Sequence, residues 1–172
     1  MGIFYHVDHA GALSAGQILA LTPPVFSRAD SSMAEYFDRY AFEGLSQHGQ
    51  QYLGKRGGIY GDTLDQEFVL EQVRAEIRPN AVSRFQAVFA WERQADAQTF
   101  AREYPMTTAT IWQVQAESSF RGDMRAFQNN GLRWRAMRYW SGEEVGDPRG
   151  PLWEHLLVPP VTVIRRAPMP AL

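Results

Sequence analysis

The sequence predicts an α+β fold, on the evidence of three patterns. Short stretches rich in β-branched and aromatic residues are interspersed irregularly with amphipathic stretches, and no regular strand–helix–strand repeat is present. Hydrophobic residues make up 45% and aromatic residues 13% of the 172 residues, which is enough to bury a core. The length predicts one domain over residues 1–172, with residues 166–172 as a loose tail.

Several stretches have the bulky, β-branched composition that is typical of strands. They are Ile3 to Val7, Gln17 to Leu21, Arg84 to Trp91, Thr108 to Ala116 and Val161 to Ile164. In the third stretch, Arg84 and Gln86 alternate with apolar residues and therefore share one face of the predicted strand. Glu154 lies inside an otherwise apolar stretch, where a carboxylate is either exposed on an amphipathic strand or held in a pocket.

Other stretches have apolar residues at helical spacing. They are Asp30 to Tyr40, a stripe of Leu64, Phe68, Val69, Val73 and Ile77, Ala95 to Glu103, and Leu132 to Trp140. Thr63 and Gln66 have the spacing of a capping box before the second of these. The segment Gly44 to Gly49 is predicted to be a turn that enters a helix, and Gly54 to Gly61 is predicted to be a loop.

Composition excludes several classes of function. There is no cysteine, which excludes disulfides, thiolate metal sites and cysteine nucleophiles. The formal net charge of −2 gives no overall electrostatic attraction to nucleic acid or to an anionic membrane. No window approaches the roughly 20 apolar residues of a membrane span, and the first residues lack a basic signal-peptide region. We therefore expect a cytoplasmic protein with no membrane association.

Histidine-containing and arginine-rich segments offer further hypotheses. His6 and Asp8 share one face of a strand, and with His48 they could form a metallohydrolase site. No paired-histidine helix motif accompanies them, so the sequence predicts that no metal is bound. The segment Arg121 to Arg138 is rich in arginine and aromatic residues, which can bind nucleic acid. We expect it to be surface that is paired with acidic residues.

The order of the motifs resembles that of small ADP-ribosyltransferases of the His-Tyr-Glu class, especially the rifampin ADP-ribosyltransferases. The motifs are Phe4-Tyr5-His6, Val88-Phe89-Ala90 before an Ala-rich helix, Ile111-Trp112-Gln113-Val114, Phe120-Arg121-Gly122-Asp123, and Glu154 before the closing strand. The chain is also similar to a bacterial family of unknown function with the same Tyr-His-Val-Asp start, Ser-Arg-Phe-Gln strand and Glu-x-Leu-Leu end.

The first resemblance implies split antiparallel sheets with flanking helices around an NAD cleft. It implies that His6 bonds a ribose hydroxyl of NAD, that the backbone at Val7 meets the nicotinamide amide, and that Glu154 bonds the nicotinamide ribose. The motif tyrosine has no counterpart, and Phe85, Phe89 or Trp91 would supply the ring that stacks on nicotinamide. Arg84 could hold the pyrophosphate. The remaining NAD-binding candidates are Tyr5, Ser83 and Gln86.

The function implied is an NAD-dependent ADP-ribosyltransferase or NAD glycohydrolase, with Glu154 and His6 as catalytic residues and NAD as substrate. The acceptor, whether protein, nucleic acid or small molecule, and the oligomeric state are open, and a toxin, an effector or a defence protein would fit. The alternative is a catalytically inactive module on the same fold that binds a nucleotide or nucleic acid. If transfer occurs, Glu154→Gln should abolish turnover and leave NAD binding and thermal stability nearly unchanged.

Overall fold

A computed structural model describes residues 1–23, 35, 38–39, 43–53, 61–104, 109–127 and 130–168. The strands are β1 (Gly2–Asp8), β2 (Ile18–Leu19), β3 (Val88–Ala90), β4 (Thr110–Ala116), β5 (Ser119–Asp123), β6 (Trp153–Leu157) and β7 (Val161–Arg166). The α-helices are α1 (Gln47–Leu53), α2 (Gly61–Ile77), α3 (Gln94–Glu103) and α4 (Leu132–Ser141), and a 3-10 helix covers Met124–Ala126. The fold is therefore α+β, as the sequence predicts.

Two antiparallel sheets form the centre of the described structure. The first sheet has the strand order β1-β4-β7-β2, and the second has the order β3-β6-β5. In β4, Trp112, Val114 and Ala116 are buried while the residues between them are partly exposed, which is the alternation of a strand with one face on a core. Those three residues face the second sheet and pack with Val88, Ala90 and Leu157.

The sheets meet along one edge of each. Tyr5 of β1 and Trp91, which directly follows β3, exchange backbone hydrogen bonds, with N···O distances of 2.8 and 2.9 Å. The inter-sheet face of the second sheet also carries His155, whose ring centroid is 5.0 Å from that of Phe4. The space between the two sheets is filled largely by apolar side chains.

Helices cover the two outer faces. Helices α2 and α4 pack against Phe89, Phe120 and Leu156 on the outer face of the second sheet. Helix α3 packs against Tyr5, Val7 and Ile111 on the outer face of the first sheet. Helix α4 is capped at its C-terminus by Gly142, whose φ of 72° lies in the left-handed region and whose N–H bonds back to the last turn. Within the described residues, no helix is long and apolar enough to cross a membrane.

One sequence prediction needs correction, and two others are not tested by the described residues. The predicted strand from Arg84 to Trp91 is shorter: residues 84–86 form a turn in which Gln86 N–H bonds the Ser83 carbonyl, and only Val88–Ala90 pair as a strand. In this turn the side chain of Arg84 is directed into a buried ionic cluster, so Arg84 and Gln86 do not share a strand face. The predicted helix Asp30 to Tyr40 and loop Gly54 to Gly61 lie, apart from a few positions, outside the described residues.

Candidate functional site

A buried ionic cluster lies between the second sheet and helices α2 and α4. The Arg84 guanidinium donates to both carboxylate oxygens of Glu67, at 2.8 and 3.1 Å. Its Nη1 also donates to Glu154 Oε1 and to the Tyr139 hydroxyl, the latter at 2.8 Å. Tyr139 in turn donates to Glu154 Oε1 at 2.8 Å. Both described hydrogen bonds to Glu154 therefore fall on the same oxygen.

Two aromatic rings hold the Arg84 guanidinium in place. Its central carbon is 4.5 Å from the ring centroid of Phe89 and 4.3 Å from that of Phe127. The ring of Tyr139 is also close, at 5.4 Å. A planar guanidinium suits such a position, because its face can stack on π-systems while its edge donates hydrogen bonds. Aromatic rings thus contact the Arg84 guanidinium, and hydrogen bonds from its N–H groups hold it along its edge.

His48 closes one side of the cluster. Its Nε2 is 3.4 Å from Glu67 Oε1, and its side chain is 22% exposed against 3% for Glu67. The His48 ring packs between Tyr52 and Phe89, with centroid distances of 4.6 and 4.3 Å. His48 is therefore the member of this cluster that connects the buried charges to the surface.

Charge pairing inside the cluster outweighs burial. Burial opposes ionisation of Glu67, but Arg84 and His48 together lower the pKa of its carboxyl to about 2. Burial also opposes the charge of Arg84, yet Glu154 and Glu67 raise its pKa well above the usual value. Burial raises the pKa of the Tyr139 hydroxyl, so it stays protonated and can donate to Glu154. Glu67 and Arg84 are therefore both charged in the folded protein, and the Arg84 guanidinium is shared by the side chains of Glu67 and Glu154.

A second ion pair lies beside the first along α2. Arg74 donates to both oxygens of Glu71, with distances of 2.7 to 3.1 Å, and its Nη1 bonds the carbonyls of Pro79 and Ala81. Ser83 Oγ donates to Glu71 Oε2 at 2.8 Å. Ser83, a predicted NAD contact, is therefore engaged in anchoring the turn before β3 to helix α2.

His6 lies at the seam between the sheets. Its Nδ1 is 2.6 Å from the carbonyl oxygen of Phe89, which can only accept, so Nδ1 carries the hydrogen and Nε2 is left as an acceptor. Burial lowers the pKa of His6, although this hydrogen bond and Asp8 oppose the shift. His6 and the ionic cluster are thus joined through Phe89, whose carbonyl contacts one and whose ring contacts the other.

The structure brings together only part of the set predicted from sequence. Arg84, Phe89 and Glu154 are in one cluster, and Glu154 is buried there instead of standing at the rim of a cleft. The others have different surroundings. Tyr5 and Trp91 form the sheet junction, Val7 packs on α3, Phe85 packs with Leu45 and Leu53, and Gln86 Nε2 bonds the Gly44 carbonyl at 3.2 Å.

Sequence reasoning missed Glu67, Tyr139 and Phe127 as members of the cluster. Glu67 had a signal: it lies three residues after Leu64 in α2 and so occupies the apolar stripe, where an ionised side chain requires a buried partner. The sequence contains no comparable signal for Tyr139 or Phe127. Nothing in their local sequence distinguishes them from ordinary core aromatic residues.

The hypothetical metal site at His6, Asp8 and His48 does not form among the described residues. Their side chains do not gather, and this part of the chain has no group of three potential ligands that could hold a metal ion. Asp8 is engaged instead in its own loop, where its carboxylate accepts the backbone N–H groups of Ala10, Gly11 and Leu13 at 2.9 to 3.0 Å.

Two surface cavities lie away from the cluster. One of about 450 Å³ is lined by the end of α2, the segment after it, Ser118, Ser119, Phe120 and Val158. Another of about 280 Å³ adjoins the turns between β4 and β5 and between β6 and β7. Neither is lined by His6, Arg84 or Glu154.

Comparison with known proteins assigns the chain to a family without assigning an activity. No curated protein matches the sequence significantly. A family model described as "Protein of unknown function (DUF2441)" matches residues 4–167. Neither comparison indicates a similarity to ADP-ribosyltransferases, whereas the expected likeness to a family of unknown function agrees with this match. The chain belongs to the DUF2441 family.

Proposed function

We propose that the chain is an NAD-dependent ADP-ribosyltransferase or NAD glycohydrolase that uses Glu154. The observation that carries this proposal is the convergence of Arg84, Phe89 and Glu154, with the Tyr139 hydroxyl on Glu154 Oε1. Both described bonds fall on Oε1, so this oxygen is held by two donors, and no hydrogen bond to Oε2 is found among the described residues. A fixed carboxylate of this kind can stabilise a developing positive charge.

In this proposal His6 binds NAD. Its Nδ1 hydrogen is used by the Phe89 carbonyl, so Nε2 accepts a hydrogen bond from a ribose hydroxyl. Phe89 joins this residue to the Arg84 cluster, which ties the position of His6 to that of Glu154. The two sheets with flanking helices agree with the proposed split-sheet fold at the level of α+β class and antiparallel pairing.

The chemistry requires cleavage of the bond between nicotinamide and ribose. The bonding electrons leave with nicotinamide, which becomes neutral, and positive charge develops on the ribose as an oxocarbenium-like ion. The Glu154 carboxylate stabilises that charge. A water or acceptor oxygen then bonds the anomeric carbon and loses its proton, which gives free ADP-ribose or an ADP-ribosylated acceptor. The acceptor is a protein, a nucleic acid or a small molecule.

The test is incubation of the purified chain with NAD labelled in the nicotinamide ring. Chromatography should show free labelled nicotinamide at a rate proportional to protein concentration, and calorimetry should show NAD binding. Omission of an acceptor distinguishes hydrolysis from transfer, because a glycohydrolase needs only water. A chain that binds NAD without releasing nicotinamide would refute the catalytic proposal.

One observation favours a second candidate, a nucleotide-binding module without catalysis. Glu154 is 3% exposed and Arg84 already balances its charge. A carboxylate so paired stabilises an oxocarbenium ion less than a free one, because its charge is partly neutralised. NAD or AMP binding in calorimetry, together with an absence of nicotinamide release, is the expected result for this candidate.

A further inference from the structure

The inter-sheet face of the second sheet carries a serine and a histidine in hydrogen-bond contact. Ser119 begins β5, and its Oγ is 3.1 Å from Nδ1 of His155 in β6. Glu92 lies two residues after β3, and its Oε2 is 3.9 Å from His155 Nε2. A hydroxyl, an imidazole and a carboxylate therefore follow one another in the order of nucleophile, base and orienting acid that serine hydrolases use.

The hydrogen bond in this arrangement is the one between Ser119 and His155. The Ser119 hydroxyl can donate to Nδ1 when the imidazole hydrogen is on Nε2, which lies within ion-pair range of Glu92 but beyond hydrogen-bond distance. Burial lowers the pKa of His155, and Arg121 lowers it further, while Glu92 opposes them. The imidazole is accordingly neutral at neutral pH, which is the state that a general base needs.

The surroundings of Ser119 suit a small anionic substrate. Ser119 is exposed, and the cavity of about 450 Å³ that it borders on the α2 side is not lined by His155, Arg121 or Glu92. Arg121 lies two residues further along β5, and its guanidinium is 4.3 Å from the ring centroid of Trp153. Residues two apart on a strand share a face, so Arg121 presents a positive charge on the same side as the serine and histidine.

We propose that Ser119 is a nucleophile, that His155 is its general base and that Glu92 orients the imidazole, for cleavage of a carboxylic ester. Ser119 Oγ bonds the carbonyl carbon as its proton passes to His155 Nδ1. The ester C–O bond then breaks, and the imidazolium returns the proton to the leaving alkoxide. Water hydrolyses the acyl-serine by the same route. This activity is independent of the proposed reaction with NAD.

The test is covalent labelling of the full chain with a fluorophosphonate, followed by peptide mass spectrometry. The reagent forms an O–P bond with an activated serine as its P–F bond breaks, and the serine proton leaves with fluoride. We expect one label, on Ser119, that Ser119→Ala abolishes. His155→Gln should slow labelling at least ~100-fold through loss of the base, and Glu92→Gln should slow it several-fold. Ser118→Ala, a change to the neighbouring serine, should label at the parental rate.

Three results would overturn the proposal: an unlabelled parent chain, labelling of Ser119→Ala to the parental extent, or full-rate labelling of His155→Gln. Circular dichroism establishes that each variant is folded. Should His155→Gln fail to fold, Ser119→Ala and Glu92→Gln still decide the question. The first removes a single oxygen atom, and the second alters a carboxylate that is 73% exposed.

Discussion

Arg84 and Glu154 form an ion pair between side chains that are 6% and 4% exposed, although 70 residues separate them in sequence. Arg84 stands in the turn before β3, and Glu154 is in β6, the central strand of the same sheet. Glu67 of α2 pairs with the same guanidinium. The Arg84 guanidinium thus links helix α2, strand β6 and the turn before β3 through ion pairs.

The first prediction concerns removal of that charge. Arg84→Met should lower the free energy of unfolding by about 3–5 kcal/mol, because it removes the guanidinium that balances the buried carboxylates of Glu67 and Glu154. Urea denaturation measures the change. Arg133→Met is the matched control, since Arg133 and Glu76 pair while 57% and 52% exposed, and such a pair contributes at most about 1 kcal/mol. Equal losses in the two variants would contradict the role given to the buried cluster.

The second prediction concerns pH. The carboxyl of Glu67 has a folded-state pKa of about 2, below its ordinary value of 4.5. A depressed carboxyl pKa contributes stability that is fully present above pH 4.5 and is lost as the pH falls toward 2. The melting temperature of Glu67→Gln should therefore fall less steeply than that of the parent over this interval, although the variant is less stable at neutral pH. Parallel curves below pH 4.5 would show that Glu67 is not the group responsible.

The third prediction concerns the approach of α1 to the turn before β3. A Cβ atom on Gly49 would lie 2.1 Å from the carbonyl oxygen of Phe85, which is backbone and cannot rotate away. Gly49→Ala should lower the free energy of unfolding by about 1–3 kcal/mol through overpacking. Gln51→Ala, at an exposed position of the same helix, should be neutral. Thermal unfolding that ranks the two variants in reverse would show that α1 does not pack as described.

The fourth prediction tests the proposed reaction. Glu154→Gln should abolish release of nicotinamide while NAD still binds, because the carboxylate charge acts mainly when positive charge develops on the ribose. His6→Ala should weaken NAD binding as well, since it removes a contact to the bound substrate. Nicotinamide release and calorimetric binding, measured in parallel on both variants, separate the two effects.

The ion pair with Arg84 changes one part of this expectation. The sequence alone predicts that Glu154→Gln leaves thermal stability nearly unchanged, but the substitution removes half of the counter-charge of a buried guanidinium. The variant should melt at a lower temperature than the parent, and by less than Arg84→Met, because Glu67 remains paired. Turnover is therefore compared well below both melting temperatures. Turnover at the parental rate would contradict a catalytic role for Glu154.

Local periodicity predicted helices α3 and α4 closely. The predicted helices Ala95 to Glu103 and Leu132 to Trp140 match α3 and α4 to within one residue at each end, because apolar spacing and end signals such as Ser141-Gly142 are local properties. The composition of Ser119–Asp123 does not predict a strand, although these residues form β5. Its sequence includes Arg121, Gly122 and Asp123, and its pairing with β6 rather than its composition keeps it extended.

Long-range partners account for what the sequence left open in the candidate site. The sequence singled out Arg84 and Glu154 separately, as residues whose polarity conflicts with apolar neighbours. Their pairing depends on β3 and β6 being adjacent and on the turn that directs Arg84 inward, and neither can be deduced from spacing. Tyr139 reaches the cluster from the middle of α4, where a tyrosine has many ordinary packing roles.

The backbone bonds between Tyr5 and Trp91 have a mechanical consequence. Within the described residues, this bridge is the place where the hydrogen-bond ladders of the two sheets touch. The short connections from β4 to β5 and from β6 to β7 also join the sheets, which otherwise meet through side chains such as Val114 and Leu157. If one sheet rotated relative to the other, the rotation would take place about this bridge and would break no hydrogen bond within either sheet. His6 is the next residue along β1, so it sits almost on the pivot axis. Such a rotation would move the edge strands farthest from the bridge, β2 and β5, far more than His6.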